Sequence, residues 1–100
     1  MSEANTSKPK RPLFPLGEVV ATPGALAALL LAGQTPHEFI VRHVTGDWGD
    51  LVPEDVRENE YSLEHGLRIF SSYRLTSGEK LWLITEGDRS VTTFLLPSEY

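Results

Sequence analysis

The spacing of apolar positions divides the chain into a helical part and, from about residue 67, a part with strand periodicity. Apolar and polar side chains alternate over residues 67–75, which is typical of a half-buried strand. Turn-forming residues then separate two further segments rich in β-branched and aromatic side chains, Lys80–Thr85 and 90–96. This pattern predicts a meander of three antiparallel strands, with one face against helices and the other partly open.

Three segments with helical signals precede this sheet. Thr22 is a suitable N-cap for Pro23–Ala32, and Gly33 is a suitable stop. Because this segment is apolar nearly all round, we expect it to be a buried core helix. Thr35 and Glu38 have the spacing of a capping box and predict a second helix.

The third helix is predicted from Pro53 to about His65, with Gly66 as its stop. Before the first helix, residues 13–21 suit an extended arm or a short edge strand. We therefore predict a single α+β domain over residues 13–100, with two to three helices followed by the three-stranded antiparallel meander. Residues 1–12 have almost no apolar side chains and are predicted to be a disordered basic leader.

The charge is distributed unevenly. The net charge is −5, and since residues 1–11 carry three basic side chains and one acidic, residues 12–100 hold −7. Binding to nucleic acid depends on neutralising phosphates with Lys and Arg, so RNA is an expected partner only through a local basic patch. The longest apolar run is far too short to cross a bilayer, and no membrane partner is expected.

Residues 42–51, Arg-His-Val-Thr-Gly-Asp-Trp-Gly-Asp-Leu, hold the densest group of chemically capable side chains. Two hypotheses apply to this stretch. In the first, its glycines shape a turn and Trp48 is a lid over the edge of the core. In the second, Arg42 and His43 end a helix beside a cleft, and Asp47 orients the imidazole. The stretch also supplies Asp50 to a predicted binding surface.

The third predicted helix is strongly acidic. From Asp47 to Glu64 there are seven carboxylates against Arg57 alone. Such a face is commonly only solvated, but it also suits a docking surface for a basic protein. The residues assigned to partner binding are Asp47, Trp48, Asp50, Glu54, Asp55 and Glu58.

A catalytic alternative is a metal-independent ribonuclease, with His43 moving the proton and arginines stabilising the phosphorane. The candidate catalytic residues are His43, Arg42, Arg68, Arg74 and Thr92. The hypothesis requires His43 to reach a substrate-facing position that Arg68 or Arg74 also reaches. No metal site and no cofactor are predicted, since zinc and calcium spacings and glycine-rich phosphate loops do not occur. With no cysteine and no signal peptide, the expected compartment is the cytoplasm.

Five stretches resemble a small bacterial family carried on plasmids and integrative elements, whose members are described as plasmid-related or hypothetical. They are residues 16–25, 42–51, 71–75, 81–86 and 88–100, and the resemblance spans about residues 13 to 100. It implies an accessory protein of mobile genetic elements and brings no activity. The layout is also distantly similar to barnase, colicin E5 and RelE-like ribonucleases.

The resulting expectation is a small cytoplasmic accessory protein that binds a macromolecular partner. Its predicted binding surface combines the 46–50 loop, the acidic helix and the adjoining sheet face. The ribonuclease remains the alternative.

Overall fold

A computed structural model describes residues 11–100, and the α+β class is confirmed. The order of elements is β1 (Glu18–Ala21), α1 (Pro23–Ala32), α2 (Pro36–Val44), α3 (Pro53–His65), β2 (Ile69–Arg74), β3 (Lys80–Thr85), β4 (Val91–Leu95) and a 3-10 turn (Pro97–Glu99). Residues 1–10 of the predicted leader lie outside the described residues.

The sheet differs from the prediction, because it has four strands in the described part of the chain and is mixed. The strand order is β1-β4-β3-β2, and β1 runs parallel to β4. Residues 18–21 of the predicted arm form this strand, so the edge-strand alternative is the correct one. The chain can enter β1 in this position because residue 17 is a glycine. Gly17 has φ of +65° and lies against the carbonyl of Ser90, where a Cβ would clash.

Helix α1 is not the buried core helix that its composition predicts. Thr22 caps it as expected, with its hydroxyl accepting a hydrogen bond from Ala25 N–H at 3.1 Å. One side of the helix packs on the sheet, but Leu30 and Leu31 on the other side are 81% and 83% exposed. Since the described chain places helices on a single face of the sheet, nothing in it covers the outer side of α1.

The capping box predicted for α2 does not form. Thr35 makes no side-chain capping bond, and Glu38 instead accepts a hydrogen bond from the Gln34 amide at 2.9 Å. Helix α2 nevertheless starts at Pro36, which is favoured at the first helical position. Its Phe39 and His43 are buried against the sheet.

Two apolar clusters lie between the helices and the covered face of the sheet. The larger consists of Ala25, Ala28, Leu29, Phe39, Tyr73, Leu75, Leu81, Leu83 and Phe94. The smaller is centred on Phe14, Trp48 and Ile69. Trp48 is only 7% exposed and stacks on Phe14, with ring centroids 6.4 Å apart, so the lid interpretation of Trp48 is confirmed.

The 48–50 segment and the Asn59 side chain cover the outer edge of β2. The 48–50 segment pairs with Ser72, since Ser72 N–H donates to the Trp48 carbonyl at 3.1 Å and Asp50 N–H donates to the Ser72 carbonyl at 2.7 Å. Gly49 lies between these bonds, and a Cβ there would clash with the Ser72 carbonyl. Further along the edge, the buried Asn59 amide donates to the Phe70 carbonyl at 2.7 Å and accepts from Phe70 N–H at 3.0 Å. The β2 edge is thus closed to strand addition.

Replacing Asn59 by Asp is expected to lower the free energy of unfolding by about 2 kcal/mol, although the side chain keeps its shape. A carboxylate still accepts from Phe70 N–H, but it opposes the Phe70 carbonyl with an acceptor in place of a donor. Urea denaturation measures the loss, and Glu60→Ala on the exposed side of α3 is the control. Equal stability of the two variants would contradict a structural role for the amide.

Candidate functional site

His43 lies at the centre of a chain of buried hydroxyl groups. Its side chain is fully buried, with Nδ1 2.6 Å from Ser71 Oγ and Nε2 2.9 Å from Thr85 Oγ1. Thr85 Oγ1 lies 2.7 Å from Thr92 Oγ1, and the Thr92 hydroxyl donates to the Leu16 carbonyl at 2.8 Å. The chain links α2, all three antiparallel strands and the segment before β1.

The direction of these bonds follows from the carbonyl at one end. Because Thr92 donates to Leu16, it accepts from Thr85, which in turn accepts from His43 Nε2–H. His43 Nδ1 is then the acceptor for the Ser71 hydroxyl. In the neutral imidazole, which burial favours, the proton is on Nε2 and both ring nitrogens are occupied.

Burial lowers the pKa of His43 to about 4, since the charged form is excluded from water. The ring also meets Phe14 and Trp48 edge-on, at centroid distances of 5.2 and 6.0 Å. A group enclosed in this way has no free nitrogen to offer a substrate. Its arrangement is that of a satisfied core histidine.

Asp47 does not orient the imidazole. Its carboxylate pairs with Arg42, at 2.8 Å from Oδ2 to Nε and 3.3 Å from Oδ1 to Nη2. The Arg42 guanidinium lies 4.5 Å from the ring centre of Tyr73, whose hydroxyl donates to the Asp47 carbonyl at 2.7 Å. Burial raises the pKa of Tyr73, so this hydroxyl stays protonated. These contacts hold the 46–50 loop against the sheet.

The two strand arginines lie on the face of the sheet that no helix among residues 11–100 covers, here called the uncovered face, and point away from His43. Arg68 pairs with Glu86 at 3.2 Å, and Arg74 lies 3.9 Å from Asp50. Thr92 belongs to the covered face, where it is fully buried. The convergence that the ribonuclease hypothesis requires is not formed, and the geometry gives that hypothesis no support.

The uncovered face instead carries an aromatic cleft of about 260 Å³, lined by Arg68, Phe70, Trp82, Ile84 and Tyr100. Trp82 is at its centre, with ring centroids 5.0 Å from Phe70 and 5.7 Å from Tyr100 in edge-to-face geometry. Arg68 closes one side, because its Nη1 donates to the Tyr100 hydroxyl at 3.1 Å. We call this site the Trp82 cleft.

The acidic helix α3 lies along the outer edge of β2, with Val56 and Leu63 packed against the smaller apolar cluster. The bonds from Asn59 to Phe70 tie α3 to the strand that contributes Phe70 to the Trp82 cleft. Glu54, Asp55 and Glu58 are all exposed. The strand that contributes Phe70 to the Trp82 cleft thus has the acidic helix along its outer edge.

Four structural anchors and one cleft residue were not identified from the sequence: Asn59, Ser71, Thr85, Arg89 and Tyr100. Arg89 has φ of +61° and bonds the carbonyls of Ser62, Leu67, Glu86 and Gly87, at 2.6 to 3.1 Å. Its position in a turn, with a positive φ outside glycine, is a local feature that sequence patterns do not show. Tyr100 enters the cleft because the 3-10 turn carries it back over β3.

Within residues 11–100, no three His, Asp or Glu side chains are grouped so that they could hold a metal ion. No helix in that range is long and apolar enough to span a bilayer. No protein-family model matches the chain, and the comparisons with curated proteins and with solved structures give no match.

Proposed function

We propose that this protein is a binding module that captures a protein segment in which a large apolar side chain is flanked by Lys or Arg. The apolar side chain enters the Trp82 cleft, and the basic residues face helix α3. In keeping with the resemblance to plasmid-borne proteins, we propose that it acts in the cytoplasm as an accessory protein of mobile genetic elements.

The carrying observation is the Trp82 cleft on an otherwise uncovered sheet face. Binding sites for anchor side chains are concave and mostly apolar, and a few polar groups fix the orientation. Phe70, Trp82 and Ile84 supply the apolar wall, and the Arg68–Glu86 pair supplies the polar rim. The volume of about 260 Å³ suits one large side chain and is small for a folded element.

Charge complementarity defines what flanks the anchor. Each strand arginine on this face is matched by a carboxylate, as Arg68 is by Glu86 and Arg74 by Asp50. Helix α3 has Arg57 as its one Lys or Arg side chain, against five carboxylates: Glu54, Asp55, Glu58, Glu60 and Glu64. The surface therefore favours a basic segment, and it lacks the surplus of cations that RNA binding needs.

The 46–50 loop pairs with the edge of β2 and so lies beside the proposed binding surface. Trp48 is buried and Asp47 is paired with Arg42, so these two residues position the loop. Asp50 is exposed at the rim beside Arg74 and is the loop residue that we place next to a partner.

The two tryptophans provide an internal control for a binding experiment. The probe is a short synthetic peptide with one central Leu flanked by lysines, added to the ¹⁵N-labelled full chain. We expect the indole N–H resonance of Trp82 to shift on titration while that of the buried Trp48 stays in place. A peptide with glutamates for lysines should produce a much smaller shift.

Variants test the two parts of the proposal separately. Asp55→Lys with Glu58→Lys should weaken peptide binding at least about tenfold, since each change replaces attraction to the flanking lysines by repulsion. Glu38→Lys with Glu79→Lys makes the same change of charge elsewhere and should not. No shift at Trp82 with either peptide, or equal shifts with both, would refute the proposal.

A further inference from the structure

The two edges of the sheet differ in whether other parts of the described chain cover them. Loop 48–50 and Asn59 close the β2 edge, whereas no described strand pairs with the outer side of β1. Sheet edges are commonly protected by Lys, Pro or bulges, because they offer unpaired N–H and C=O groups to other chains. Strand β1, Glu-Val-Val-Ala, has none of these, and Val19 and Val20 are 41% and 37% exposed.

The exposed side of α1 continues this edge. It consists of Pro23, Leu26, Ala27, Leu30 and Leu31, with no polar side chain among them. Leu26 is 52% exposed and the last two leucines are above 80%. Because α1 follows β1 after a single residue and belongs to the same apolar cluster as Ala21 and Phe94, it lies at the β1 end of the sheet, and one flank of its apolar face adjoins the open edge. An apolar patch of this kind marks an interaction site.

We propose that this edge and helix face bind a second copy of the same chain, so that β1 pairs antiparallel with β1 of the other copy and the two α1 helices pack together. The proposal goes beyond the partner binding proposed above, since the Trp82 cleft is formed by β2 and β3 and the dimer surface by β1 and α1.

The backbone specifies the register. Glu18 N–H and Thr22 N–H both donate towards β4, to the carbonyls of Ser90 and Phe94. In a regular strand the alternate residues, Val19 and Ala21, then direct their N–H and C=O groups outward. Both outward residues pair within β1 when Val19 of one copy faces Ala21 of the other, which places Val20 opposite Val20 on the two-fold axis.

The two copies are compatible in space. The only charged residue of β1 is Glu18, which falls opposite Thr22, whose hydroxyl donates to the Glu99 carboxylate, and not opposite its own copy. A two-fold axis normal to the sheet leaves both helix layers on the same face. The two β4 strands would be about 14 Å apart, three strand spacings, so helices seated over β1 and β4 meet at the usual packing distance of roughly 8 to 10 Å.

Other occupants fit this surface less well. A basic segment of the kind proposed for α3 would find Glu18 and Glu99 here, and Glu99 already accepts hydrogen bonds from Thr22 and Gly24. Residues 1–10 contribute Met1 and Ala4 as their apolar side chains besides Pro9, too few to cover three leucines. A second copy supplies the matching apolar area and a matching strand edge together.

Cysteine cross-linking tests the register, because the natural chain has no cysteine. Under oxidation the full-length Val20→Cys variant should form a disulfide-linked dimer, since a non-hydrogen-bonded antiparallel pair has Cα atoms about 4.5 Å apart. Val19→Cys should not, because its own copy lies about two residues along the strand, beyond disulfide reach. Cross-linking of Val19→Cys in place of Val20→Cys would overturn the proposed pairing.

Sedimentation velocity of the full chain tests the dimer itself. We expect a concentration-dependent species at twice the 11.1 kDa chain mass. Leu30→Glu with Leu31→Glu should abolish it, as should Val19→Pro, which removes only an outward N–H. Val41→Glu, at an exposed valine of α2, is the control and should still dimerise.

Each failure has a distinct meaning. A wild-type chain that stays monomeric at every concentration overturns the proposal, as does a dimer that survives the Leu30 and Leu31 changes. A dimer lost there but kept by Val19→Pro overturns the strand pairing. The peptide shift at Trp82 is expected in the monomeric variants too, so failure of the dimer and failure of the cleft are distinguishable.

Discussion

Replacing His43 by Ala is expected to lower the free energy of unfolding by about 4 kcal/mol. The change leaves a cavity between Phe14, Trp48 and the sheet, and it removes the acceptor of the Ser71 hydroxyl and the donor to Thr85. Both hydroxyls are buried, so water cannot easily replace the lost bonds. Domains of this size are stable by only about 5 to 15 kcal/mol, and the variant should unfold at markedly lower urea concentration.

Two further variants identify the cause of this loss. His43→Gln can accept from Ser71 through its carbonyl oxygen and donate to Thr85 through its amide nitrogen, so it should recover part of the stability. His37→Ala removes an exposed imidazole from the same helix and should change stability by less than about 0.5 kcal/mol. If His43→Ala were as stable as His37→Ala, the hydroxyl chain would contribute nothing to folding.

The helices were predictable because their start and stop signals are local. Thr22, Pro23 and Gly33 bound α1 as predicted, and Pro53 and Gly66 bound α3. Each of these residues acts through its own backbone geometry or its next few neighbours. The strands of the meander were predictable for a similar reason, since period-two alternation does not depend on the rest of the fold.

The placement of β1 could not be predicted in the same way. Its partner is β4, which lies more than seventy residues further along the sequence, at Val91–Leu95. Nothing in the four residues of β1 specifies a parallel pairing with that strand. The exposure of α1 was missed for a related reason, because composition shows that a helix is apolar but not what covers it.

The arrangement of the candidate site also depends on tertiary packing that the sequence pattern does not show. Arg42 and His43 are adjacent in sequence and near the end of one helix, yet their side chains diverge. Arg42 reaches the exposed Asp47, while His43 turns into the core to meet Ser71 and Thr85 of two separate strands. A helix advances about 100° per residue, so neighbours face different directions, and which one meets the sheet depends on packing. The alternation of β2 also separates Arg68 and Arg74 from Ser71, on opposite faces.

Stability should fall as the pH is lowered from neutral, mainly between the ordinary His pKa of 6.5 and the folded-state pKa of His43 of about 4. The unfolded chain binds a proton in this window and the folded chain does not, so acid favours unfolding. Above pH 6.5 the neutral imidazole contributes fully. Below about pH 4 both states are protonated, and about 3 kcal/mol of stability has been lost.

The pH range distinguishes the loss of stability caused by His43 from the loss caused by carboxylates. The pKa values of Asp88 and Glu99 are lowered by hydrogen bonds from Ser90 and Thr22, so their stabilisation is lost only as the pH falls below their usual values of 3.8 and 4.5. Urea denaturation at half-unit steps from pH 7.5 to 4.5 measures the slope for the wild type and for His43→Gln. The wild-type slope should approach one proton near pH 5, about 1.4 kcal/mol per pH unit, and the variant should lack this component. Because Gln cannot titrate, an unchanged slope in the variant would show that the acid sensitivity comes from another group.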